Sequence, residues 1–250
     1  MLPSNLPALD THAHIAADVT QPQVSALGDA VVLAMTRSFR EGQYALRPGS
    51  AASPTLVWAL GAHPGVPRSI DSFNAAAFAS ALDSFAVVGE VGLDRRGDLE
   101  AQGRVFSDVL RACQDQPVLI SVHSTGRTRN VLDLIEASPH PGLILHWFNG
   151  SAGEVRRATG LGCYFSVNAA MTDDQLALIP PERILTETDF PSSTRRTQAS
   201  KPGDVAQIES RLDALQRTSA RDLVWANFSR LVQASGATAR LPESVLRYLG

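Results

Sequence analysis

The sequence is poor in cysteine and lysine. Cys113 and Cys163 are the only two cysteines among the 250 residues, and they lie far apart without C-x-x-C spacing. A paired-cysteine motif is therefore excluded, and we expect two buried, reduced thiols, one in a helix and one in a strand. Lys201 is the only lysine, and it falls in a predicted loop.

A strong net charge and long apolar runs are also absent. With 22 basic and 25 acidic residues, the overall charge gives no sign of nucleic-acid binding, so a phosphate substrate would have to be attracted by a local site. No apolar run approaches a membrane span, and the first residues lack the charged segment and apolar core of a secretion signal. We therefore expect a cytoplasmic protein with no membrane partner.

No linker, internal repeat or low-complexity tract divides the chain, so we expect one domain over residues 1–250. Short apolar runs alternate with helical patterns, and several runs are continuously apolar, as in strands buried on both faces of a parallel sheet. Eight such runs in a chain of this length predict an α/β fold, the (β/α)8 TIM barrel. The predicted strands cover residues 6–15, 30–36, 55–63, 86–94, 117–123, 142–148, 163–168 and 183–190.

Helical spacing is clearest in two of the intervening segments. One apolar face is predicted from residues 106, 109, 110 and 113, and another from Val205, Ile208, Leu212 and Leu215. Residues 38–54 predict only a short helix and a loop, and residues 223–232 predict an additional helix packed on the barrel. The loop from 191 to 203 follows the last strand and is placed to cover a site.

Potential metal ligands stand at the ends of the predicted strands. His12 and His14 are separated by one residue, so on a strand both imidazoles point to the same face and can bind one ion. In a parallel barrel all strands deliver their carboxyl ends to one rim, which brings distant residues together. The further candidates, each at or near the end of its own apolar run, are Glu90, His123, His146 and Asp189.

Four histidines and two carboxylates suffice for two ions. Glu90 is the natural bridge because its carboxylate has two oxygens. Two adjacent cations lower the pKa of a shared water and stabilise the attacking and leaving oxygens of a displacement at phosphorus. A carboxylated lysine, which bridges the metals of related barrels, is excluded because Lys201 lies in a loop.

Other polar residues allow two interpretations each. Asp10 is expected to orient a ligand histidine from behind. Two roles are open for His63, a contact to substrate phosphate and a structural role in a turn. His140 lies in a turn sequence and is expected to be exposed to solvent. Glu187 shares a strand face with Asp189 and either lines the pocket or holds a neighbouring residue.

Over nearly the whole chain, the sequence motifs resemble those of the TatD family of metal-dependent deoxyribonucleases. Asp10–His14 is similar to the family's D-x-H-x-H, Gly61–Pro64 to its G-x-H-P and Gly89–Asp94 to its G-E-I-G-L-D. Further matching segments are Gln102, Val105–Phe106, Pro117–Val118, His123–Ser124, Glu187–Pro191 and Asn227–Leu231.

The resemblance implies a TIM barrel that hydrolyses DNA with divalent metal ions. By motif, His12, His14, Glu90 and Asp189 would hold one ion and Glu90, His123 and His146 the other. Asp189 would also be the general base, and Glu90 and Asp189 together form the catalytic pair. The ions would be Mg²⁺, Mn²⁺ or Zn²⁺, because imidazoles favour zinc or manganese whereas phosphate substrates often bring Mg²⁺.

Two stretches resemble one branch of the family, the QatD proteins of Qat anti-phage defence systems. They are Leu145–Gly150 and Gly162–Val167. This resemblance implies a defence role beside partner proteins that include an ATPase.

Three functions remain open from the sequence. The first is a nuclease that removes nucleotides from an accessible end or single strand of DNA, with Arg195, Arg196 and Lys201 either binding phosphates or forming a solvated loop. The second is an amidohydrolase-like enzyme that cleaves a small ester or amide with the same metals. The third is a barrel that serves mainly as a binding subunit of a defence complex.

Overall fold

Eight parallel strands follow one another in chain order and form one sheet. The structure is a computed structural model that describes residues 5–192, 194–216 and 218–250. Each strand pairs in parallel with the next one along the chain, as βα units predict. The strands are β1 Leu9–His14, β2 Val31–Met35, β3 Leu56–Leu60, β4 Val87–Gly92, β5 Leu119–His123, β6 Leu143–His146, β7 Tyr164–Val167 and β8 Ile184–Thr186.

Side-chain and backbone hydrogen bonds join the first strand to the last. The Thr11 hydroxyl donates to the Thr186 carbonyl at 2.9 Å, and the Thr186 hydroxyl donates to the Leu9 carbonyl at 2.5 Å. Beyond the end of β8, the Asp189 amide donates to the His12 carbonyl at 2.8 Å. The sheet is therefore a nearly closed barrel, and the predicted (β/α)8 fold is confirmed.

Helices connect the strands and pack outside the barrel. The predicted apolar face of residues 106 to 113 is confirmed, since Phe106, Val109, Leu110 and Cys113 are all buried. No helix in the described part of the chain is long and apolar enough to cross a membrane. The helices are α1 Gln21–Ser25, α2 Phe39–Ala45, α3 Pro67–Asp71, α4 Ala75–Ala81, α5 Leu99–Cys113, α6 Thr128–Ala137, α7 Ala152–Gly160, α8 Asp173–Leu178, α9 Thr194–Thr197, α10 Ala206–Gln216, α11 Ala220–Ser235 and α12 Glu243–Leu246, with short 3-10 turns at Leu82–Ser84, Pro181–Arg183 and Ala237–Ala239.

The amino-terminal end of the barrel is sealed by α11. One buried cluster joins Leu9, Val87 and Leu119, near the beginnings of their strands, to Trp225 and Phe228 of α11. Because apolar side chains fill this end, a polar site has room only at the opposite rim, where the strands end.

Two sequence predictions about burial are wrong. Leu215 does not belong to the apolar face of α10: it is 41 % exposed, whereas Leu212 is fully buried. Asp213 and Ala214 beside it are exposed as well, so this part of the helix lies at the surface. His140 is buried rather than solvated. Its Nδ1 accepts a hydrogen bond from the Gly142 amide at 3.0 Å, and its Nε2 lies 3.1 Å from the Gln116 carbonyl, so the ring ties two loops together.

The cysteine prediction holds in its main point. Cys113 and Cys163 are both buried and free. Cys113 ends α5, while Cys163 lies one residue before β7. Burial raises the pKa of each thiol to about 12, so neither is a reactive thiolate.

Candidate metal centre

The structure brings the predicted ligands together at the carboxyl ends of the strands. His12 and His14 lie on β1, Glu90 on β4, and His123 and His146 are the last residues of β5 and β6. Asp189 follows β8 by three residues and is buried. The parallel strands bring these distant residues to one rim of the barrel.

Glu90 lies at the centre, and its two oxygens face different histidines. Its Oε2 is 3.0 Å from His14 Nε2 and 3.6 Å from His12 Nε2. Its Oε1 is 3.0 Å from His146 Nε2 and also contacts His123 Nδ1. The carboxylate therefore stands between two histidine pairs, as a bridging ligand would.

Asp189 completes the first of these two groups. Its Oδ1 lies 3.8 Å from Nε2 of both His12 and His14. Its backbone φ is +48°, a conformation that residues other than glycine seldom adopt. The hydrogen bond from its amide to the His12 carbonyl holds this conformation, so the carboxylate is fixed toward β1.

The donor atoms are suited to cations. Three groups in the described residues have donor atoms within 4.8 Å of one another: His12, His14 and Glu90; His63, Glu90 and His123; and His12, His146 and Glu187. Within the same part of the chain, Nε2 of His12 is buried and makes no hydrogen bond, and it lies 3.6 Å from Glu90 Oε2 and 3.8 Å from Asp189 Oδ1. A buried polar atom without a partner is costly, so this nitrogen and the carboxylates beside it fit a cation.

Burial and the neighbouring charges shift the pKa values of these groups in different directions. Burial lowers the pKa of His12 well below its usual value, which keeps the imidazole neutral and able to donate a lone pair. Burial alone would raise the pKa of Glu90, but the surrounding histidines lower it well below its usual range. For Asp189, burial, opposed by His146 and aided by Glu187 and Glu90, raises the pKa to about 7.

Two of the candidate ligand histidines are oriented by neighbouring polar side chains. His12 Nδ1 lies 2.7 Å from the Ser121 hydroxyl. His123 Nε2 lies 2.9 Å from Asp94 Oδ2. Asp94 also accepts two hydrogen bonds at 2.9 Å from the Arg96 guanidinium. Such contacts fix which ring nitrogen is left to face an ion.

Close packing beside Glu90 requires glycine. Gly92 has a φ of +128°, and a Cβ built there would overlap the His123 backbone. At Gly89 a Cβ would lie 2.5 Å from the Met35 sulfur. Glycine at both positions lets β4 lie close to its neighbours at the point where Glu90 enters the site.

Asp10 has a different role from the one predicted. Its carboxylate contacts no imidazole in the described residues. Oδ1 accepts hydrogen bonds from the backbone amides of His12 and Thr188, and Oδ2 accepts from the Thr188 hydroxyl and the Gly203 amide. Asp10 therefore ties β1 to the segment that carries Asp189, and it orients backbone rather than a ligand ring.

His63 and Glu187 both reach the site. The Nδ1 of His63 accepts a hydrogen bond from the Gly65 amide at 2.9 Å, as in a structural turn, while its Nε2 lies 3.2 Å from Glu90 Oε2. Burial lowers the pKa of His63 to about 4. Glu187 accepts hydrogen bonds from Ser166 and Asn168 and lies 3.8 Å from His146 Nδ1, so it both lines the site and holds neighbours.

The cavity around Glu90, which we call the metal cavity, is lined by His14, Arg37, His63, Glu90, Arg96, His123, His146, Asp189, Pro191 and Ser192. The three predicted basic residues of the 191–203 loop lie outside it. Arg195 and Arg196 are exposed on α9, and the Arg196 guanidinium stands 5.6 Å from the centre of the Trp147 ring. The Lys201 ammonium donates to the Ala26 carbonyl at 2.6 Å. Residue 193 of this loop lies outside the described residues. Phosphate contacts by these three side chains stay a prediction.

Two arginines that the sequence analysis did not identify line the metal cavity. They are Arg37, which follows β2, and Arg96, which follows β4. The signal was available, since both stand within four residues of a strand end. Arginine is, however, frequent in this sequence, and its position alone did not distinguish these two.

Comparisons with known proteins place these observations in a family. A model of the family described as TatD related DNase matches residues 9–233. The "3'-5' ssDNA/RNA exonuclease TatD" of Escherichia coli K12 is 26% identical over 163 residues. That match covers 58% of this chain and 63% of the relative, so the chain spans about three fifths of that protein's length.

Solved structures agree in fold. The E. coli K12 protein YJJV, a TatD homologue, has a TM-score of 0.73 at 22% identity and covers 89% of this chain and 96% of its own. A TatD-family hydrolase from Entamoeba histolytica has a TM-score of 0.69 at 15% identity, over 92% and 97% of the two chains. The fold, the motifs and the family match agree with the predicted class of TatD-type hydrolase, and the chain belongs to the TatD-related DNase family.

Proposed function

We propose that this protein is a metal-dependent nuclease that hydrolyses phosphodiester bonds at the end of a single DNA strand. The observation that carries the proposal is the position of Glu90, whose two oxygens face two separate histidine pairs, with Asp189 3.8 Å from the first pair. The similarity to the 3'-5' ssDNA/RNA exonuclease TatD of E. coli supports both the substrate and attack from the 3' end.

The residues present would hold two divalent cations. His12, His14, Glu90 and Asp189 would bind one, and Glu90, His123 and His146 the other. When bound, such a pair supplies the positive charge that acidifies a shared water and stabilises both the attacking and the leaving oxygen. The imidazole-rich ligand set favours Mn²⁺ or Zn²⁺, although a phosphate substrate can bring Mg²⁺.

Asp189 is the group that accepts the proton. Its carboxylate is fixed beside the first histidine pair, with Oδ1 3.8 Å from Nε2 of His12 and of His14, and a carboxylate that touches the reacting water can take up its proton. Arg37 and Arg96 line the same cavity and would bind the nonbridging oxygens of the phosphate, because guanidinium groups donate in pairs to such oxygens.

An assay of metal content and nuclease activity on the same purified sample tests the proposal. A 5'-labelled single-stranded oligonucleotide should be shortened from its 3' end when Mg²⁺, Mn²⁺ or Zn²⁺ is present. Asp189→Asn should abolish cleavage, whereas Asp71→Asn, at an exposed carboxylate that does not line the metal cavity, should keep it. Faster hydrolysis of small esters, amides or lactones than of DNA would instead support the amidohydrolase-like alternative.

We further propose a role in anti-phage defence beside partner proteins that include an ATPase. The support is the resemblance of residues 145–150 and 162–167 to the QatD branch. A His12→Ala and His14→Ala double variant should lose phage protection in the native operon. Unchanged protection, together with purified protein that binds no divalent ion, would make the barrel a binding subunit instead. The cytoplasmic location and the single domain over residues 1–250 stay predictions.

A further inference from the structure

A second and larger cavity adjoins the metal centre. Its volume is about 660 Å³, against about 310 Å³ for the metal cavity, and the two share His14, Arg37 and Pro191. We call it the apolar cleft, after six apolar side chains that line it: Ile15, Val19, Val24, Leu27, Phe190 and Pro202. A ligand held at the metals thus has direct access to a largely apolar space.

Phe190 fixes an aromatic ring at the boundary between the two cavities. It directly follows Asp189, the proposed base. Its carbonyl accepts a hydrogen bond from the His14 amide at 2.7 Å, and its amide donates to the Thr188 hydroxyl at 3.2 Å. The ring lines the cleft and is only partly buried. It is therefore held close to the catalytic groups and still offers a face to a ligand.

The charges around the apolar cleft favour a neutral ring over a second phosphate. Arg37, on the side shared with the metal cavity, is the only arginine or lysine among the described residues that line the cleft. Asp18 places a carboxylate on the same wall. A phosphate pushed into this space would meet apolar side chains and a negative charge, which is costly, whereas a base has an apolar face to bury.

We propose that the apolar cleft binds the nucleobase next to the scissile phosphate, with Phe190 as its stacking partner. The inference rests on the proposed nuclease function. With the phosphate at the metals and beside Arg37, the attached nucleoside lies at the mouth of the cleft. Stacking on an aromatic ring is tolerant of base identity because every base has a π-face, so the cleft would bind all four bases.

A double-mutant cycle between protein and substrate tests this inference. The substrates are two single-stranded oligonucleotides that differ only in their 3'-terminal nucleotide, which carries either thymine or an abasic tetrahydrofuran. In the unmodified protein, loss of the base should lower kcat/KM about 5- to 150-fold, the range measured for one stacked base. In Phe190→Ala the same loss should have little effect, because the ring that stacks on the base is absent.

Two further variants separate stacking from folding. Phe190→Leu keeps apolar bulk without a flat face, so it should fold normally and retain only part of the preference for the base. Phe73→Ala removes a partly buried phenyl ring that packs on Phe78, outside both cavities, and should keep the full preference. Each variant should show a cooperative thermal transition before its kinetics are compared.

The outcomes distinguish this inference from the proposed function. If the unmodified protein shortens both oligonucleotides at equal rates, the nuclease function stands and the base-binding cleft is refuted. Equal slowing of both substrates by Phe190→Ala and Phe190→Leu would also refute it, since the ring would then act only on the fold. If neither substrate is cleaved with any of the three metals, the nuclease function fails and the inference with it.

Discussion

Replacement of Asp94 by asparagine is expected to weaken metal binding, although Asp94 is not itself one of the proposed metal ligands. Asp94 is fully buried, and its Oδ2 lies 2.9 Å from His123 Nε2. Burial alone would raise its pKa, but the hydrogen bonds from His123 and Arg96 lower that pKa far below its usual range, so the carboxylate stays charged. An anion at this position keeps the proton of His123 on Nε2 and leaves the Nδ1 lone pair toward Glu90.

The size of the effect follows from these contacts. The amide of the Asp94→Asn variant would offer one acceptor oxygen where the carboxylate now serves both His123 and the two guanidinium nitrogens of Arg96. Loss of such a partner behind a ligand histidine typically costs 10- to 100-fold in metal affinity. That ratio corresponds to about 1.4 to 2.7 kcal/mol of binding free energy.

Arg96→Gln is the matched control. The Arg96 side chain is 71 % exposed, so its ion pair with Asp94 is screened by water and contributes at most about 1 kcal/mol. Its removal leaves the bond between Asp94 and His123 in place, and the affinity should fall less than about fivefold.

Competition with a chromophoric chelator measures both affinities directly. Asp94→Asn and Arg96→Gln should be titrated with Mn²⁺ and Zn²⁺ beside the unmodified protein. Should Asp94→Asn bind both ions as tightly as the unmodified protein, the orienting role of this carboxylate would be refuted. An Arg96→Gln defect as large as that of Asp94→Asn would show that the guanidinium, rather than the carboxylate, controls the position of His123.

Three further predictions concern the site and the barrel. Gly92→Ala should lower both metal affinity and the unfolding midpoint, since a Cβ there overlaps the His123 backbone; a variant with normal chelator competition would contradict the packing argument. Trp225→Ala should cost about 3 to 5 kcal/mol of unfolding free energy in urea denaturation, because this fully buried ring helps to seal the barrel; a cost below about 1 kcal/mol would mean that the end of the barrel collapses around the gap. Free metal at 1,000 times its Kd should add about 4 kcal/mol to the free energy of unfolding, so removal of the metal by a chelator should lower the melting temperature; identical melting curves with and without chelator would argue against a bound ion.

The sequence predicted the barrel because its signals are local. Continuous apolar runs such as Leu143–Leu145 identify strands buried on both faces, and their alternation with helical spacing leaves few parallel topologies. Ligand types at strand ends could be predicted for the same reason, since a parallel barrel brings all strand ends to one rim. Leu215 and His140 could not be predicted correctly, because their burial depends on segments remote in sequence.

By itself, the sequence determined which side chains reach the rim: residue type and position on a strand fix that much for His12, Glu90 and His123. Only the tertiary structure decided how they face one another. The division of the Glu90 oxygens between two histidine pairs, the placement of Arg37 and Arg96 in the metal cavity and the cleft beside Phe190 all depend on contacts between strands and loops far apart in the chain. Such contacts are set by packing and hydrogen-bond geometry across the closed barrel, which no local pattern of residues encodes.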